Sequence, residues 1–234
     1  MEVYVGTSGW SYDWNNGGNF EWFVNNAGLN AVELNASFYR FPFKNQIEGW
    51  RRRSTGIHWC VKVHRLITHT HKFNDAALEI WKRFKDLFQP LSKSIDFYLF
   101  QAPPRFTDVE RILSFIGRID EREKVAIELR NETLLENDEV CKRIQKYSVL
   151  VSVDSPTTQC KIYSSDIVYL RMHGRGEWYQ YKYSKKELQQ IAKNIIELNP
   201  KKAFIFFNNN HNMLKNAQTM FNLLLPQMSV IEKM

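Results

Sequence analysis

A short apolar run followed by an amphipathic stripe recurs along this chain, and no other feature limits its fold as tightly. The apolar runs cover residues 3–6, 31–34, 59–63, 97–100, 125–129, 149–153, 167–172 and 203–207. Each is rich in β-branched or aromatic side chains and most are bounded by polar or turn residues, which predicts eight strands. The stripes between them have helical spacing. Phe20, Phe23, Val24 and Ala27 form one, with Gly28 as its stop. Ala77, Ile80, Trp81, Phe84, Leu87 and Phe88 form another, and Val140, Cys141, Ile144 and Tyr147 a third. Thr107 with Glu110 reads as a capping box before Val109, Ile112, Leu113 and Ile116. Ser184 with Glu187 reads the same way before Leu188, Ile191, Ala192 and Ile195. Leu214, Ala217, Phe221 and Leu224 make the last stripe, which Pro226 ends.

Alternating strands and helices imply a parallel sheet. Spread over 234 residues, each βα unit takes about 29, near the short end for a (β/α)8 barrel. The expectation is a single α/β domain over residues 1–234, a compact (β/α)8 TIM barrel. A doubly wound open sheet is the alternative, and no dinucleotide-binding glycine motif follows the first strand to support it. Residues 155–166 carry no helical pattern, so the connection from the sixth predicted strand to the seventh should be irregular.

Composition narrows the class further. The chain is 44% hydrophobic and 24% charged, with 7 Trp, 10 Tyr and 16 Phe, which excludes a disordered protein. Cys60, Cys141 and Cys160 lie far apart, against both a disulfide framework and a zinc ribbon, and point to a reducing, cytoplasmic setting. The first residues lack the pattern of a signal peptide, and no stretch reaches the roughly 18–20 apolar residues of a membrane span. The formal charge of +7 is unevenly placed: residues 1–39 carry −4 and residues 40–72 carry +7. That basic block favours anionic partners.

Side chains on a strand alternate between its two faces. Val32 and Leu34 oppose Glu33 and Asn35; Val61 and Val63 oppose Lys62 and His64; Ile127 and Leu129 oppose Glu128 and Arg130. Val151 and Val153 oppose Ser152 and Asp154, and Leu170 and Met172 oppose Arg171 and His173. If the apolar set packs on helices, the polar set points inward, toward the C-terminal ends of the strands where enzymes of this fold carry their active sites. Buried charges cost several kcal/mol each unless paired, so they serve either as ion pairs plugging the interior or as a functional site.

These residues sit in runs that resemble the domain-of-unknown-function 72 family, also called YecE-like, over nearly the whole chain. The runs are Gly6-Thr7-Ser8-Gly9-Trp10-Ser11-Tyr12, Val32-Glu33-Leu34-Asn35-Ala36-Ser37-Phe38-Tyr39-Arg40, and Lys62 followed by Leu66-Ile67-Thr68-His69. Gln101-Ala102-Pro103-Pro104, Glu128-Leu129-Arg130, Val153-Asp154-Ser155-Pro156, Tyr169-Leu170-Arg171-Met172-His173-Gly174 and Phe207-Asn208-Asn209 follow in order. The resemblance implies a TIM barrel and leaves the activity open. Two positions depart from the family's pattern: Asn131 stands where His is usual, and Asn210 where Asp is usual.

The chemistry that fits best acts on an anionic, phosphorylated substrate, by hydrolysis or lysis. Glu33, Glu128 and Asp154 are candidate bases, His64 and His173 candidate acids, and Lys62 a further catalytic group. Arg130, Arg171 and Arg175 can grip phosphate, and Gly174 allows close backbone approach. Trp10, Asn35, Tyr39, Asn208 and Asn209 complete the expected anion site. No cofactor is called for. A divalent metal held by Glu33, His64, Glu128, Asp154 and His173, as in nucleases and sugar isomerases of this fold, is an alternative that Lys62, Arg130 and Arg171 oppose by repulsion. Another is a non-catalytic nucleic-acid binder using Arg40, Lys44, Arg51, Arg52, Arg53 and Lys72 for phosphates, with Trp10, Trp14, Phe38, Tyr39 and Trp178 for stacking. For the Arg triplet, a solvated helix C-terminus is the plainer reading. No membrane partner is expected, and the oligomeric state is open.

Overall fold

Parallel pairing between strands that are neighbours in sequence organises the described residues, which are 1–158, 161–163 and 165–227 of the computed structural model. The strands are β1 (Glu2–Thr7), β2 (Ala31–Leu34), β3 (His58–Lys62), β4 (Ile95–Gln101), β5 (Val125–Glu128), β6 (Val149–Leu150), β7 (Ser152–Asp154), β8 (Ile167–Met172) and β9 (Lys202–Phe207). Their order in the sheet is β6-β5-β4-β3-β2-β1-β9-β8-β7. It nowhere doubles back as a doubly wound sheet does; it is the order of the (β/α)8 TIM-barrel class.

The predicted strand at residues 149–153 is two pieces, β6 and β7, separated by Val151 alone. The cause is a change of partner: Val149 and Leu150 are in register with Ala126 and Ile127 on β5, whereas Ser152, Val153 and Asp154 are in register with Leu170, Arg171 and Met172 on β8. Between β7 and β8 the described residues contain no helix, as the sequence pattern requires. Cys160 falls outside the described residues.

The helices are α1 (Phe20–Asn26), α2 (Lys44–Arg53), α3 (Asp75–Phe88), α4 (Val109–Arg118), α5 (Glu132–Glu136), α6 (Asp138–Gln145), α7 (Lys185–Leu198) and α8 (Met213–Leu224). Their ends follow capping chemistry. Asn19 accepts from the Trp22 amide at 2.9 Å to start α1, and Gly28, at φ +62°, turns the chain out of it. Ser184 and Glu187 form the expected reciprocal box on α7. The box expected at Thr107 is corrected: Asp108 caps α4, accepting from the Arg111 amide at 3.0 Å, while Glu110 pairs with Arg143. Tyr147 lies beyond the end of α6 and is 52% exposed, so it is not part of that helix's buried face. On α8 the buried face is Met213, Asn216, Ala217, Met220 and Leu224, with Leu214 and Phe221 only half-buried. Helix α2 buries Ile47 alone and ends in Arg51, Arg52 and Arg53, all exposed, where their charge complements the helix dipole.

The chain gathers into two compact units, Met1–Val32 with Ser152–Met234, and Glu33–Val151. In the first unit Val3 and Val5 of β1 and Phe204 and Phe206 of β9 are buried, and α8 packs against β1. In the second, Trp59, Trp81, Phe84, Phe88, Phe100 and Phe115 fill the core. Burial of such side chains contributes about 1.5–3 kcal/mol each. The Trp81 ring meets Tyr98 edge-on at 4.9 Å and Phe100 at 5.2 Å, which locks α3 onto β4. Among the described residues no helix is long and apolar enough to cross a membrane.

Candidate functional site

The polar residues that alternate along the strands are buried in both units. In the second unit Glu33 on β2 and Glu128 on β5 are fully buried, and Lys62, which ends β3, is 9% exposed. Glu128 Oε1 accepts from Gln101 Nε2 at 2.9 Å and forms an ion pair with Arg130, whose side chain is 15% exposed. Lys62 Nζ stands 4.1 Å from the centre of the Phe38 ring, a cation–π contact. Just past β2, Asn35 is half-buried and opens a 3-10 turn, Ala36–Phe38, that delivers Phe38 under the lysine and leaves Tyr39 70% exposed. Ser37 fixes that turn: its buried hydroxyl lies 3.0 Å from the Leu34 carbonyl oxygen and 2.6 Å from that of Lys62.

His64 follows β3. Its Nδ1 accepts from the Leu66 amide at 3.2 Å, which leaves the ring proton on Nε2 when the ring is neutral, and the ring lies 4.8 Å from Phe41. Burial lowers its pKa, against a hydrogen bond with the Tyr39 backbone and with help from the charge of Arg65. Its neighbour in the next turn is His69, on a π-helical segment, Leu66–Thr70, of the kind that recurs at functional sites. The His69 ring meets the edge of Phe38 at 4.9 Å, and its Nδ1 lies 2.8 Å from Thr68 Oγ1. Burial, then the charges of Lys62, Arg65 and Arg130, push its pKa down to about 4. Lys62, Arg130, Glu128, Gln101, Phe38 and His69 therefore form one connected cluster within this unit.

In the first unit Asp154, at the end of β7, is fully buried and its carboxylate is gripped by Arg175 Nε at 3.0 and 3.1 Å and by the Tyr183 hydroxyl at 2.7 Å. Burial, then the charge and hydrogen bond of Asp154, push the Tyr183 phenol far up, so it stays a donor. Its oxygen accepts from the Gly174 amide at 2.9 Å. Arg175 also reaches Glu187 at 3.4 Å, and Tyr181 donates to the same carboxylate at 2.6 Å. Burial works against the Glu187 carboxylate, but bonds from Tyr181 and Ser184 outweigh it and hold its pKa below the usual value. The sequence treats Asp154 as a base and Arg175 as a phosphate grip; the structure pairs them with each other.

Gly174 is held at φ +101°, and a Cβ there would sit 2.4 Å from Tyr181 Cβ, so the loop after β8 needs glycine at this place. His173 is fully buried between Trp178 at 5.4 Å and Tyr179 at 5.5 Å. Arg171 is fully buried on β8, in register with Val153 and Phe206. After β9, Asn208 is half-buried, its amide bonded to the Met172 carbonyl at 2.8 Å. Asn209 is fully buried; its Nδ2 donates to the Tyr181 carbonyl at 2.7 Å and to Asn216 Oδ1 at 2.8 Å, and its Oδ1 has no hydrogen-bond partner among the described residues. Trp10 is buried and packs on Phe20 at 4.9 Å.

The two departures from the family pattern have local roles. Asn131 caps α5, accepting from the Leu134 amide at 3.1 Å. Asn210 adopts φ +50° at the start of the 3-10 turn that leads into α8. Sequence reasoning did not assign His69, Gln101, Tyr183 or Glu187 to the site. His69 and Gln101 lie in runs that carry the family resemblance, which is the signal that could have found them. Tyr183 lies in a loop with no periodicity to read. Among the described residues no three His, Cys, Asp or Glu side chains gather as metal ligands.

The chain is similar in sequence pattern and in fold to known proteins. The family described as "Protein of unknown function DUF72" matches residues 4–232. A DUF72 family protein from Thermotoga maritima MSB8 has a TM-score of 0.82 at 24% identity, over 96% of this chain and 100% of that one. One from Enterococcus faecalis V583 has a TM-score of 0.81 at 20% identity, over 95% of both chains. SacUVDE, at 6% identity and a TM-score of 0.57 over 97% and 99% of the two chains, is similar in fold alone. No curated protein matches the chain. With the family pattern running through all but its ends, and with two solved DUF72 structures sharing its fold, the chain belongs to DUF72, a family of proteins of unknown function.

Proposed function

We propose that the protein binds an anionic, phosphorylated small molecule and cleaves its phosphoester, by hydrolysis or by elimination. One observation carries the reading: Lys62 and Arg130, only 9% and 15% exposed, are withdrawn from water in one cluster with Phe38 and His69. Cations withdrawn from water this far cost several kcal/mol, and an arriving phosphate offsets part of that cost. Ammonium and guanidinium groups are also the side chains best matched to phosphate oxygens. Gln101 and Arg130 both engage Glu128, so the guanidinium is oriented before a ligand arrives.

The same field suggests how a proton moves. A bound dianion cancels much of the charge that Lys62 and Arg130 exert on His69, so the imidazole gains proton affinity as the ligand enters. It can then protonate the leaving oxygen, with Glu33 as the carboxylate that takes a proton from water or from the substrate. His64, with Nδ1 on the Leu66 amide, steadies the turn after β3 in this scheme. In the first unit we assign Asp154 and Arg175 to holding the loop after β8. Within the first unit, strand alternation at Arg171 and His173 and the buried Oδ1 of Asn209 support a second polar surface of its own.

Calorimetry with inorganic phosphate, and phosphate release from a panel of sugar phosphates, test the proposal. Phosphate should bind, Lys62→Met should weaken it at least about tenfold, the size of a lost charged hydrogen bond, and at least one ester should turn over. Absence of phosphate binding in the intact protein would remove the basis of the reading. Binding of nucleic acid that weakens steeply with salt, without turnover of any ester, would replace it with a binding role.

A further inference from the structure

We infer that the phosphorylated ligand carries a flat ring, as a nucleotide does, and that Tyr39 is the surface on which this ring lies. The inference rests on the anion reading above and adds the chemistry of the ligand's other end. Tyr39 is 70% exposed, and its ring meets Phe38 edge-on at 5.0 Å. Phe38 in turn lies 4.1 Å from Lys62 Nζ and 4.9 Å from the His69 ring. The exposed ring, the buried ring and the ammonium are thus consecutive links of one chain of contacts, with a flat apolar face at one end and a cation at the other.

A single exposed aromatic residue is ordinary on a protein surface. This one differs in how it is held. The Tyr39 and Arg40 amides both donate to the Ala36 carbonyl, at 3.1 and 3.3 Å, which closes the turn. Ser37, inside the turn, bonds to the backbone carbonyl of Lys62 itself at 2.6 Å. His64 hydrogen-bonds to the Tyr39 backbone. The strand end that presents the cation therefore also fixes the turn that presents the ring, so little ordering cost falls on a ligand that uses both. Phe43, four residues on, is 69% exposed, and Arg40, between them in sequence, is exposed as well. Aromatic side chains stack on any nucleobase, because every base has a π face.

The test is calorimetry on the full chain with adenosine 5′-monophosphate, ribose 5-phosphate and inorganic phosphate, repeated for Tyr39→Ala and Tyr39→Phe. The nucleotide should bind at least about fivefold more tightly than ribose 5-phosphate, the lower end of what one stacked base contributes. Tyr39→Ala should abolish that preference, and Tyr39→Phe should keep it. Equal affinity for nucleotide and sugar phosphate in the unmodified protein overturns the inference and leaves the anion reading intact. A preference that survives Tyr39→Ala overturns the role given to Tyr39. A short single-stranded oligonucleotide that binds while the mononucleotide shows no preference overturns it in favour of a polymeric ligand. If neither phosphate nor ribose 5-phosphate binds, the anion reading fails and this inference falls with it.

Discussion

The Tyr183 hydroxyl donates to Asp154 at 2.7 Å while accepting from the Gly174 amide at 2.9 Å, so one phenol ties the end of β7 to the loop after β8. Asp154 is fully buried and already holds Arg175. Tyr183→Phe keeps the ring and removes the donor, leaving a buried charge with a weaker set of partners. A hydrogen bond to a charged group contributes about 1.5–3 kcal/mol, so the variant should unfold at a correspondingly lower urea concentration. A midpoint equal to that of the parent would show that Tyr183 does not hold Asp154 in solution.

Gly174 carries a second requirement in the same loop. Its φ of +101° suits glycine, and an added Cβ would collide with Tyr181 Cβ at 2.4 Å. Neither atom belongs to the flexible end of a side chain, so backbone must move. Gly174→Ala should therefore cost about 2 kcal/mol or more, combining left-handed strain with the clash. Thermal unfolding measures it, and a melting temperature within a degree or so of the parent would contradict the geometry.

The βα framework is legible in the sequence because its signals are local. Ser184 with Glu187, and Gly28 after the Phe20, Phe23, Val24 and Ala27 stripe, mark helix ends through chemistry that lies within one turn. Asp108 displaced Thr107 as a cap because two adjacent residues could each accept the bond, and only the backbone path chooses between them. The break at Val151 is invisible along one strand, since it comes from a change of partner. Helix α2 has no apolar stripe to detect, with Ile47 as its only buried side chain. The buried charges were legible through alternation, but their pairing was not: that Arg175 meets Asp154, and that Lys62 and Arg130 act on His69, depends on loops whose course no periodicity encodes.

His69 offers a pH test of the cationic cluster. Burial, then Lys62, Arg65 and Arg130, lower its pKa from 6.5 to about 4. Between those values the unfolded chain binds a proton that the folded chain does not. Stability therefore rises with pH across this window, and the contribution is lost as pH falls from 6.5 toward 4. A proton NMR titration should place the His69 midpoint near 4. Lys62→Met should move it upward, and so should added phosphate. A midpoint near 6.5 in the parent protein would mean that the cations do not act on this ring.

Arg130 and Glu128 make the sharpest energetic prediction in the second unit. Glu128 is fully buried, with Arg130 and Gln101 on its carboxylate. Arg130→Met removes the cation and leaves the carboxylate in place, and breaking a buried pair on one side costs about 3 kcal/mol. A buried carboxylate that loses a neighbouring positive charge is easier to protonate. The variant's folded state then takes up a proton more readily than its unfolded state, and the deficit shrinks as pH falls. Urea midpoints for parent and variant at pH 7 and pH 5 read this directly: a wide gap at the higher pH, a narrower one at the lower. Adding Glu128→Gln to Arg130→Met should recover much of the loss at pH 7 and reduce its pH dependence, because the carboxylate that Arg130 faced is gone. A gap of the same width at both pH values would mean that Arg130 acts through its packed stem and not through its charge.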